Sequence, residues 1–178
     1  MPTHVAFLRG MNLGKRRITN ADLCACFTGL GLRDVGAFLA SGNVVFTGAG
    51  SPAALQTRIE AGLKAALDYE VPTYLRTADQ VLALAKREPF ADRDGAAARG
   101  KPQIVFLARA PSAKAAAAAL AHDSDDDWLA IDGQELHWWP RGRLSESALD
   151  LKALAKALGE PTIRTRNTIV RLVAKHFS

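Results

Sequence analysis

The order of β-rich runs and amphipathic helical stretches is the feature that most constrains the fold of this chain. The apolar run His4–Leu8 predicts a buried strand, and Thr19 has the side chain and position of a helix-capping residue. Two β-rich segments, Val35–Leu39 and Val44–Phe46, precede a second helix, and Val71–Leu75 supplies a fourth strand. The order β-α-β-β-α-β is that of the split βαβ, or ferredoxin-like, unit.

The second half of the chain repeats this order. Gln103–Arg109 is similar in sequence to His4–Arg9, and the alanine-rich stretch Ser112–Ala121 predicts a helix. Asp132-Gly133 is a strong signal for a two-residue hairpin loop between two further strands. We therefore expect a second half of the same type.

The end of the chain completes the second half. Ser147 with Asp150 is expected to cap a helix, a short strand is expected at Thr162–Arg164, and Asn167 or Thr168 is expected to cap a terminal amphipathic helix. The predicted fold is therefore α+β, with two tandem ferredoxin-like (βαββαβ) halves. Each half has an antiparallel sheet with helices on one face, and a C-terminal helix follows the second.

The stretch from Glu88 to Lys101 contains proline, aspartate and glycine residues that break any helical or strand period. It is interpreted as a linker. The predicted domains are residues 1–88, a first half with a linking helix, and residues 101–178, a second half with the C-terminal helix.

The net charge and the hydropathy of the sequence indicate which partners and which cellular location suit the protein. The net charge of +5 and the pI of about 9.5 suit an anionic partner such as nucleic acid, a nucleotide or an anionic metabolite, without requiring one. No stretch has the roughly 18 consecutive apolar residues of a membrane helix, and the N-terminus does not have the pattern of a signal peptide. We therefore expect a cytoplasmic protein without a membrane partner.

The cysteine and histidine residues point to no metal or cofactor. Cys24 and Cys26 are two residues apart on a predicted helix, so their side chains project to different sides and a disulfide between them is not expected. Zinc sites need further histidine or cysteine ligands nearby, and none follows here at metal-binding spacing. No cofactor is predicted, and no residue is assigned a catalytic role.

The predicted topology brings two glycine-containing segments together. The first and third strands of a ferredoxin-like sheet are central and antiparallel, so the end of the first strand lies beside the start of the third. Arg9–Gly14 is thereby placed next to Ser41–Asn43, with the cations Lys15–Arg17 following directly. Glycine turns can present backbone N–H groups to an anion, and arginine supplies a rigid fork of donors. The candidate ligand-binding residues are Arg9, Gly10, Asn12, Gly14, Lys15, Arg16, Ser41, Gly42 and Asn43.

A second interpretation is that these segments have only a structural role and bind no ligand. The glycines would then serve only turn geometry, Arg9 would pair with a carboxylate, and Lys15–Arg17 would be solvated. Two weaker candidates lie elsewhere. Arg141-Gly142-Arg143 precedes a helix and could bind an anion, and Asp123–Asp127 is similar to the start of a calcium loop but lacks its later glycine and glutamate.

Leu8–Gly14 and Ser41–Phe46 resemble two signature segments of a bacterial family labelled domain of unknown function 1697. Thr162–Ile169 is similar to a third, and this resemblance adds Arg164 and Asn167 to the candidate ligand-binding residues. This chain has Thr165 and Arg166 where the family has Asn and Trp, so no stacking role is carried over. The resemblance implies two tandem ferredoxin-like halves and implies no activity.

Three functions are compatible with these features. The leading hypothesis is a cytosolic binding protein whose anionic ligand, a nucleic acid or a nucleotide, lies at the edge formed by Arg9–Arg17 and Ser41–Asn43. The first alternative is a small enzyme with a polar pocket of arginine, asparagine and serine at the same edge, although no general base is evident. The second alternative is a protein–protein interaction module. The oligomeric state is not predicted.

Overall fold

The structure, a computed structural model, describes residues 1–178 and divides the chain into two compact units. The first unit consists of Met1–Leu84 with Leu172–Ser178, and the second consists of Ala85–Arg171. The predicted domains are 1–88 and 101–178. In the structure, residues 85–88 and the stretch between the two predicted domains belong to the second unit, and the last residues of the C-terminal helix group with the first.

The first unit has the predicted order of elements. They are β1 (Thr3–Leu8), α1 (Asn20–Gly29), β2 (Arg33–Phe38), β3 (Asn43–Thr47), α2 (Pro52–Leu67) and β4 (Thr73–Thr77), followed by α3 (Ala78–Lys86). The sheet order is β2-β3-β1-β4, and each neighbouring pair is antiparallel. Strands β1 and β3 are therefore central, as the ferredoxin-like prediction requires.

Side chains from α1 and α2 form the core of the first unit with one face of its sheet. Phe27 of α1 and Ile59 of α2 are fully buried in the same cluster as Ala6 and Phe46. Both helices begin at a capping residue, since the hydroxyl oxygens of Thr19 and Ser51 each accept a hydrogen bond from the backbone N–H three residues later in the chain. Thr19 is the predicted cap of the first helix, and in the second helix the buried residues Leu55, Ile59 and Leu63 recur every four positions after Ser51. Local patterns of this kind in the sequence are enough to specify both helices.

The second unit repeats the architecture. Its elements are β5 (Gln103–Phe106), α4 (Ala113–Leu120), β6 (Asp127–Asp132), β7 (Glu135–Pro140), α5 (Leu151–Leu158), β8 (Thr162–Thr165) and the first half of α6 (Arg166–His176), whose residues from Leu172 onward belong to the first unit. The sheet order β6-β7-β5-β8 corresponds strand for strand to that of the first unit. The core lies between this sheet and helices α4 and α5, with Trp138 and Leu136 as its largest deeply buried side chains. The predicted fold class is confirmed. None of the helices has both the length and the apolar character needed to cross a membrane.

Two predicted helix caps in the second unit are wrong. Asp150 alone caps α5, because its Oδ1 accepts from the Ala153 N–H at 2.9 Å, whereas the Ser147 hydroxyl donates to Asp127 Oδ1 at 2.7 Å. Helix α6 begins one residue before the predicted caps. Thr165 performs the capping role there, since its hydroxyl oxygen accepts from the Thr168 N–H.

The β6–β7 hairpin is shifted by one residue from its prediction. Asp132 pairs with Glu135, so the two loop residues are Gly133 and Gln134 rather than Asp132 and Gly133. Gly133 has a φ of +59°, and glycine at the first loop position is typical of a type II′ turn. The need for positive φ at that position determines the register.

The segment interpreted as a linker packs within the second unit. Phe90 is only 6% exposed, and its ring centre lies 5.8 Å from that of Trp128 and 6.2 Å from that of Trp139. Arg93 forms an ion pair with Asp123 at 3.0 Å. Residues 88–101 therefore form a covering segment of this unit rather than a free connection.

Candidate ligand-binding site

The two glycine-containing segments of the first unit meet at one end of its sheet. The Leu8 N–H donates to the Gly42 carbonyl oxygen at 2.8 Å. The β1–α1 loop, residues 9–19, therefore starts directly beside the β2–β3 turn, residues 39–42. We call the end formed by these two segments the loop edge.

Asn12 joins the loop to the turn. Its Nδ2 donates to the Ala40 carbonyl oxygen at 2.9 Å, and its Oδ1 accepts from the Ile18 N–H at 3.0 Å. The residue has a φ of +55°, in the left-handed region that asparagine enters more readily than most residues. Both ends of the Asn12 amide thus fix the shape of the loop edge.

Asn43 and Gly42 shape the turn from inside. Asn43 is fully buried, and its Nδ2 donates to the Phe38 carbonyl oxygen at 2.8 Å and to the Ser41 hydroxyl at 2.9 Å. Gly42 has a φ of +78°, and a Cβ atom there would lie 2.8 Å from Cγ of Met11. Only glycine allows this close approach of the turn to the loop.

The loop edge presents positive charge through three exposed side chains, those of Lys15, Arg16 and Arg17. Lys15 is exposed, and the exposed guanidinium of Arg16 lies over the Tyr69 ring, with Cζ 4.1 Å from the ring centre. Arg17 differs, because its NH1 donates to the carbonyl oxygens of Asn12 and Arg16 at 2.8 and 2.7 Å. The guanidinium of Arg17 therefore helps to fold the loop.

The remaining first-half candidates also lie at the loop edge. Arg9 is half-buried, and its N–H donates to the Pro72 carbonyl oxygen at 3.0 Å. Gly10 and Gly14 both have positive φ. The structure thus brings the nine candidates from the first half to one place, while their contact with a ligand stays a prediction.

Both segments of the loop edge lie inside a region that matches a known family. The model of the family described as "Protein of unknown function (DUF1697)" matches residues 1–137. The chain belongs to this family. A solved structure of a conserved bacterial protein from Streptococcus pneumoniae is similar to this DUF1697 chain over 98% of its length and 99% of the other, with a TM-score of 0.75 and 22% identity. At that identity the likeness concerns the fold. No curated protein matches the chain.

Arg164 and Asn167 of this DUF1697 chain lie in its second unit, beyond the matched region. Arg164 is 7% exposed, and its NH1 donates to the Thr162 hydroxyl at 2.8 Å and to the Ile163 carbonyl oxygen at 2.9 Å. Burial lowers the pKa of Arg164 to about 10. Asn167 is exposed in the first turn of α6. Their membership of a ligand site stays a prediction.

The weaker candidate at Arg141-Gly142-Arg143 borders a cavity of about 480 Å³ in the second unit. Arg141 is already paired, with its Nε 2.9 Å from Oδ1 of Asp126. The two arginines of the lining are outnumbered by its carboxylates, which belong to Asp126, Asp127, Glu146 and Asp150. This balance of charge does not suit an anion, so the cavity is not assigned as an anion site.

The acidic run Asp123–Asp127, which is similar to the start of a calcium loop, interacts with protein groups around the start of β6. Asp123 pairs with Arg93, and Oδ1 of the buried Asp127 accepts from the Trp138 indole N–H at 2.8 Å. No group of three or more histidine, cysteine or acidic side chains is arranged to hold a metal ion. These carboxylates are partners for groups of the protein itself.

Arg99 is the structurally important residue that sequence reasoning missed. Its guanidinium donates to the carbonyl oxygens of Asp125, Asp126 and Trp139 at 2.8 to 3.3 Å, and it lies over the Trp128 ring at 4.1 Å. Burial lowers the pKa of Arg99. No local pattern could have shown this role, because the partners lie 26 to 40 residues further along the chain.

Proposed function

We propose that this DUF1697 protein is a cytoplasmic protein that binds an anionic ligand, a nucleic acid or a nucleotide, at the loop edge. The observation that carries the proposal is the exposure of Lys15 and Arg16 on a loop whose shape the protein fixes through Asn12. A fixed loop loses little conformational freedom on binding, so its charges are used efficiently.

The chemistry of Arg16 supports an anionic ligand. One face of its guanidinium is against the Tyr69 ring, which orients the group while leaving its N–H donors at the planar rim. Such a rim suits two oxygens of a phosphate or carboxylate. Lys15 adds a second positive charge next to it, and the net charge of +5 attracts polyanions to the whole molecule.

The alternative of a small enzyme gains no support from the loop edge. An enzyme of the predicted kind would use Asn12 and Asn43 to orient a substrate, but both side-chain amides are bonded within the protein. The alternative of an interaction module likewise has no observation at the loop edge in its favour.

The test measures the binding of fluorescent single-stranded and double-stranded oligonucleotides, and of a labelled nucleotide, by anisotropy. If the ligand is a nucleic acid, the affinity should fall steeply between about 50 and 200 mM salt. The slope of log K against the logarithm of the salt concentration should become smaller in magnitude by about one for each phosphate contact removed. Lys15→Ala and Arg16→Ala should each weaken binding and reduce this slope. A nucleotide ligand predicts a weaker salt dependence with the same two variants affected.

The matched control is Lys114→Ala, which removes an exposed cation from α4 in the other unit. It should leave both the affinity and the salt slope close to those of the unchanged protein. The proposal is overturned by the absence of binding to all three probes at low salt, or by a Lys114→Ala effect equal to that of Lys15→Ala.

A further inference from the structure

A second, much smaller cavity lies within the second unit. Its volume is about 30 Å³, and its walls include the aromatic rings of Phe90 and Trp139 together with the polar side chains of His137 and Arg166. A single water molecule needs at least roughly 10–15 Å³ of such space and occupies about 30 Å³ in the liquid. The cavity therefore has room for a water molecule.

Two polar atoms of the lining residues are buried without a hydrogen-bond partner in the protein. They are Nε2 of His137, a residue that is only 4% exposed, and Nε of Arg166. The rest of the Arg166 guanidinium is held, since its NH2 donates to the Ala85 carbonyl oxygen at 3.1 Å and to Glu88 Oε1 at 2.6 Å. Buried polar groups in proteins almost always have a partner, so two unsatisfied atoms on residues that line the same cavity require an explanation.

One of the two atoms can accept a hydrogen bond and the other can donate one, so a single bridging group can satisfy both. Burial lowers the pKa of His137 to about 4, so its ring is neutral at pH 7 and one ring nitrogen is an acceptor. Nε of Arg166 carries a hydrogen and can only donate. Arg166 is also paired with Glu88, so the site does not need a charged ligand to balance it.

We propose that this cavity is the site of one structural water molecule, which accepts a hydrogen bond from Arg166 Nε–H and donates one to His137 Nε2. A water can both accept and donate, and it fits the volume of the cavity. The bridge fixes the proton of the neutral His137 ring on Nδ1. It also connects β7, which contains His137, to the first residue of α6.

The first test is a crystal structure of the full chain at a resolution that shows ordered water. The expected result is a single peak within about 2.7–3.2 Å of both nitrogen atoms, with the density and refined occupancy of water. An empty cavity overturns the proposal. So does a peak that refines as an ion, or a direct contact of either nitrogen with another protein group.

The second test works in solution and needs no substitution. In protein labelled with ¹⁵N at histidine, Nε2 of His137 should have the chemical shift of an unprotonated nitrogen at pH 7, and the His137 ring protons should show a cross-peak to a long-lived water. A protonated Nε2, or the absence of that cross-peak, contradicts the bridge.

A variant pair links the water to its acceptor. His137→Phe should lose the water peak in the crystal, while His122→Phe, a change at a half-buried histidine outside this cavity, should retain it. Retention of the peak in His137→Phe overturns the proposal. If that variant does not fold, the two measurements on the unchanged protein still decide the question.

Discussion

The side-chain amide of Asn12 makes hydrogen bonds to groups 28 and 6 residues away in the chain. The side-chain Nδ2 of Asn43, by contrast, donates to groups within five residues. Both asparagines lie in the segments that the sequence marks as a candidate site, and at the residue scale both serve the shape of the loop edge. Of the exposed cations beside them, Arg17 also bonds to carbonyl oxygens of the loop, and we propose that Lys15 and Arg16 contact a ligand.

Replacing Asn12 by aspartate tests its bracing role. Aspartate keeps the oxygen that accepts from the Ile18 N–H, but it directs a carboxylate oxygen at the Ala40 carbonyl, which it repels. We expect Asn12→Asp to lower the free energy of unfolding by about 1–3 kcal/mol in urea denaturation. Asn20→Asp, the same change at the exposed start of α1, should stay within about 0.5 kcal/mol. Equal effects of the two substitutions would contradict the role of Asn12.

At the scale of elements, the loop edge depends on how closely the β2–β3 turn approaches the β1–α1 loop. At Gly42 a Cβ atom would lie 2.8 Å from Met11 Cγ and 3.0 Å from Leu8 Cβ, whereas at Gly14 it would meet nothing within 4 Å. Both glycines have positive φ. Comparing an alanine substitution at Gly14 with one at Gly42 therefore separates the cost of backbone strain from the cost of steric contact.

Gly14→Ala should cost only the strain of a left-handed alanine, about 1–2 kcal/mol. Gly42→Ala should cost that strain and a further 1–3 kcal/mol or so from overpacking against Met11. Urea denaturation of the two variants measures the difference. Because Met11 is itself a core residue, the steric part is isolated by a double-mutant cycle: Gly42→Ala should cost less in the Met11→Ala protein than in the unchanged protein. A Gly42→Ala effect no larger than that of Gly14→Ala would show that the turn can move.

The covering segment of the second unit, residues 88–101, is held in place by Arg99. A single guanidinium there holds the carbonyl oxygens of β7 and of the chain before β6. We expect Arg99→Ala to lower the free energy of unfolding by about 2–4 kcal/mol. A hydrogen bond to a charged group contributes about 1.5–3 kcal/mol net, and water can take over the exposed carbonyl oxygens of Asp125 and Asp126 in the variant. Denaturation in urea measures this loss.

Arg99→Lys should retain only part of the stability, because an ammonium cannot span several carbonyls as a planar guanidinium does. Arg109→Ala, at an exposed position after β5, is the control and should change stability by less than about 0.5 kcal/mol. A lysine at position 99 that is as good as the arginine would mean that charge alone matters there.

At the scale of the whole molecule, buried histidines connect stability to pH. Burial is the main cause that lowers the pKa values of His4, His137 and His176 in the folded protein, that of His137 to about 4. Below the ordinary histidine pKa of 6.5, the unfolded chain therefore binds more protons than the folded one. The stabilisation is complete above pH 6.5 and is lost as the pH falls toward 4.

The contribution of His137 alone predicts a loss of about 2 kcal/mol between roughly pH 7 and pH 5, at 1.36 kcal/mol for each pKa unit. Urea denaturation across this range measures it, and NMR titration of the His137 ring gives its pKa directly. His137→Gln should make the profile flatter. A stability that is constant or rises toward pH 5 would contradict the burial of neutral histidines.

Local patterns were enough to predict most of the fold. The four-residue spacing of apolar side chains and the hydroxyls of Thr19 and Ser51 specify α1 and α2 within a few neighbouring residues. The proximity of Arg9–Gly14 to Ser41–Asn43 followed from the antiparallel order of central strands alone. The prediction that Ser147 and Asp150 together cap α5 was wrong for Ser147, because Asp127, which is 20 residues away in the chain, takes the Ser147 hydroxyl in the folded protein.

The sequence by itself determined the two βαββαβ units and the segments that meet at the loop edge, because periodicity, caps and turn residues act over short stretches of chain. Only the tertiary structure decided what each polar side chain does there. Asn12, Asn43 and Arg17 bond within the protein, Lys15 and Arg16 face solvent, and Arg99 organises a segment that reads as a linker. The physical reason is that a hydrogen bond depends on which groups come within about 3 Å of one another, and distant segments reach that distance only in the folded chain.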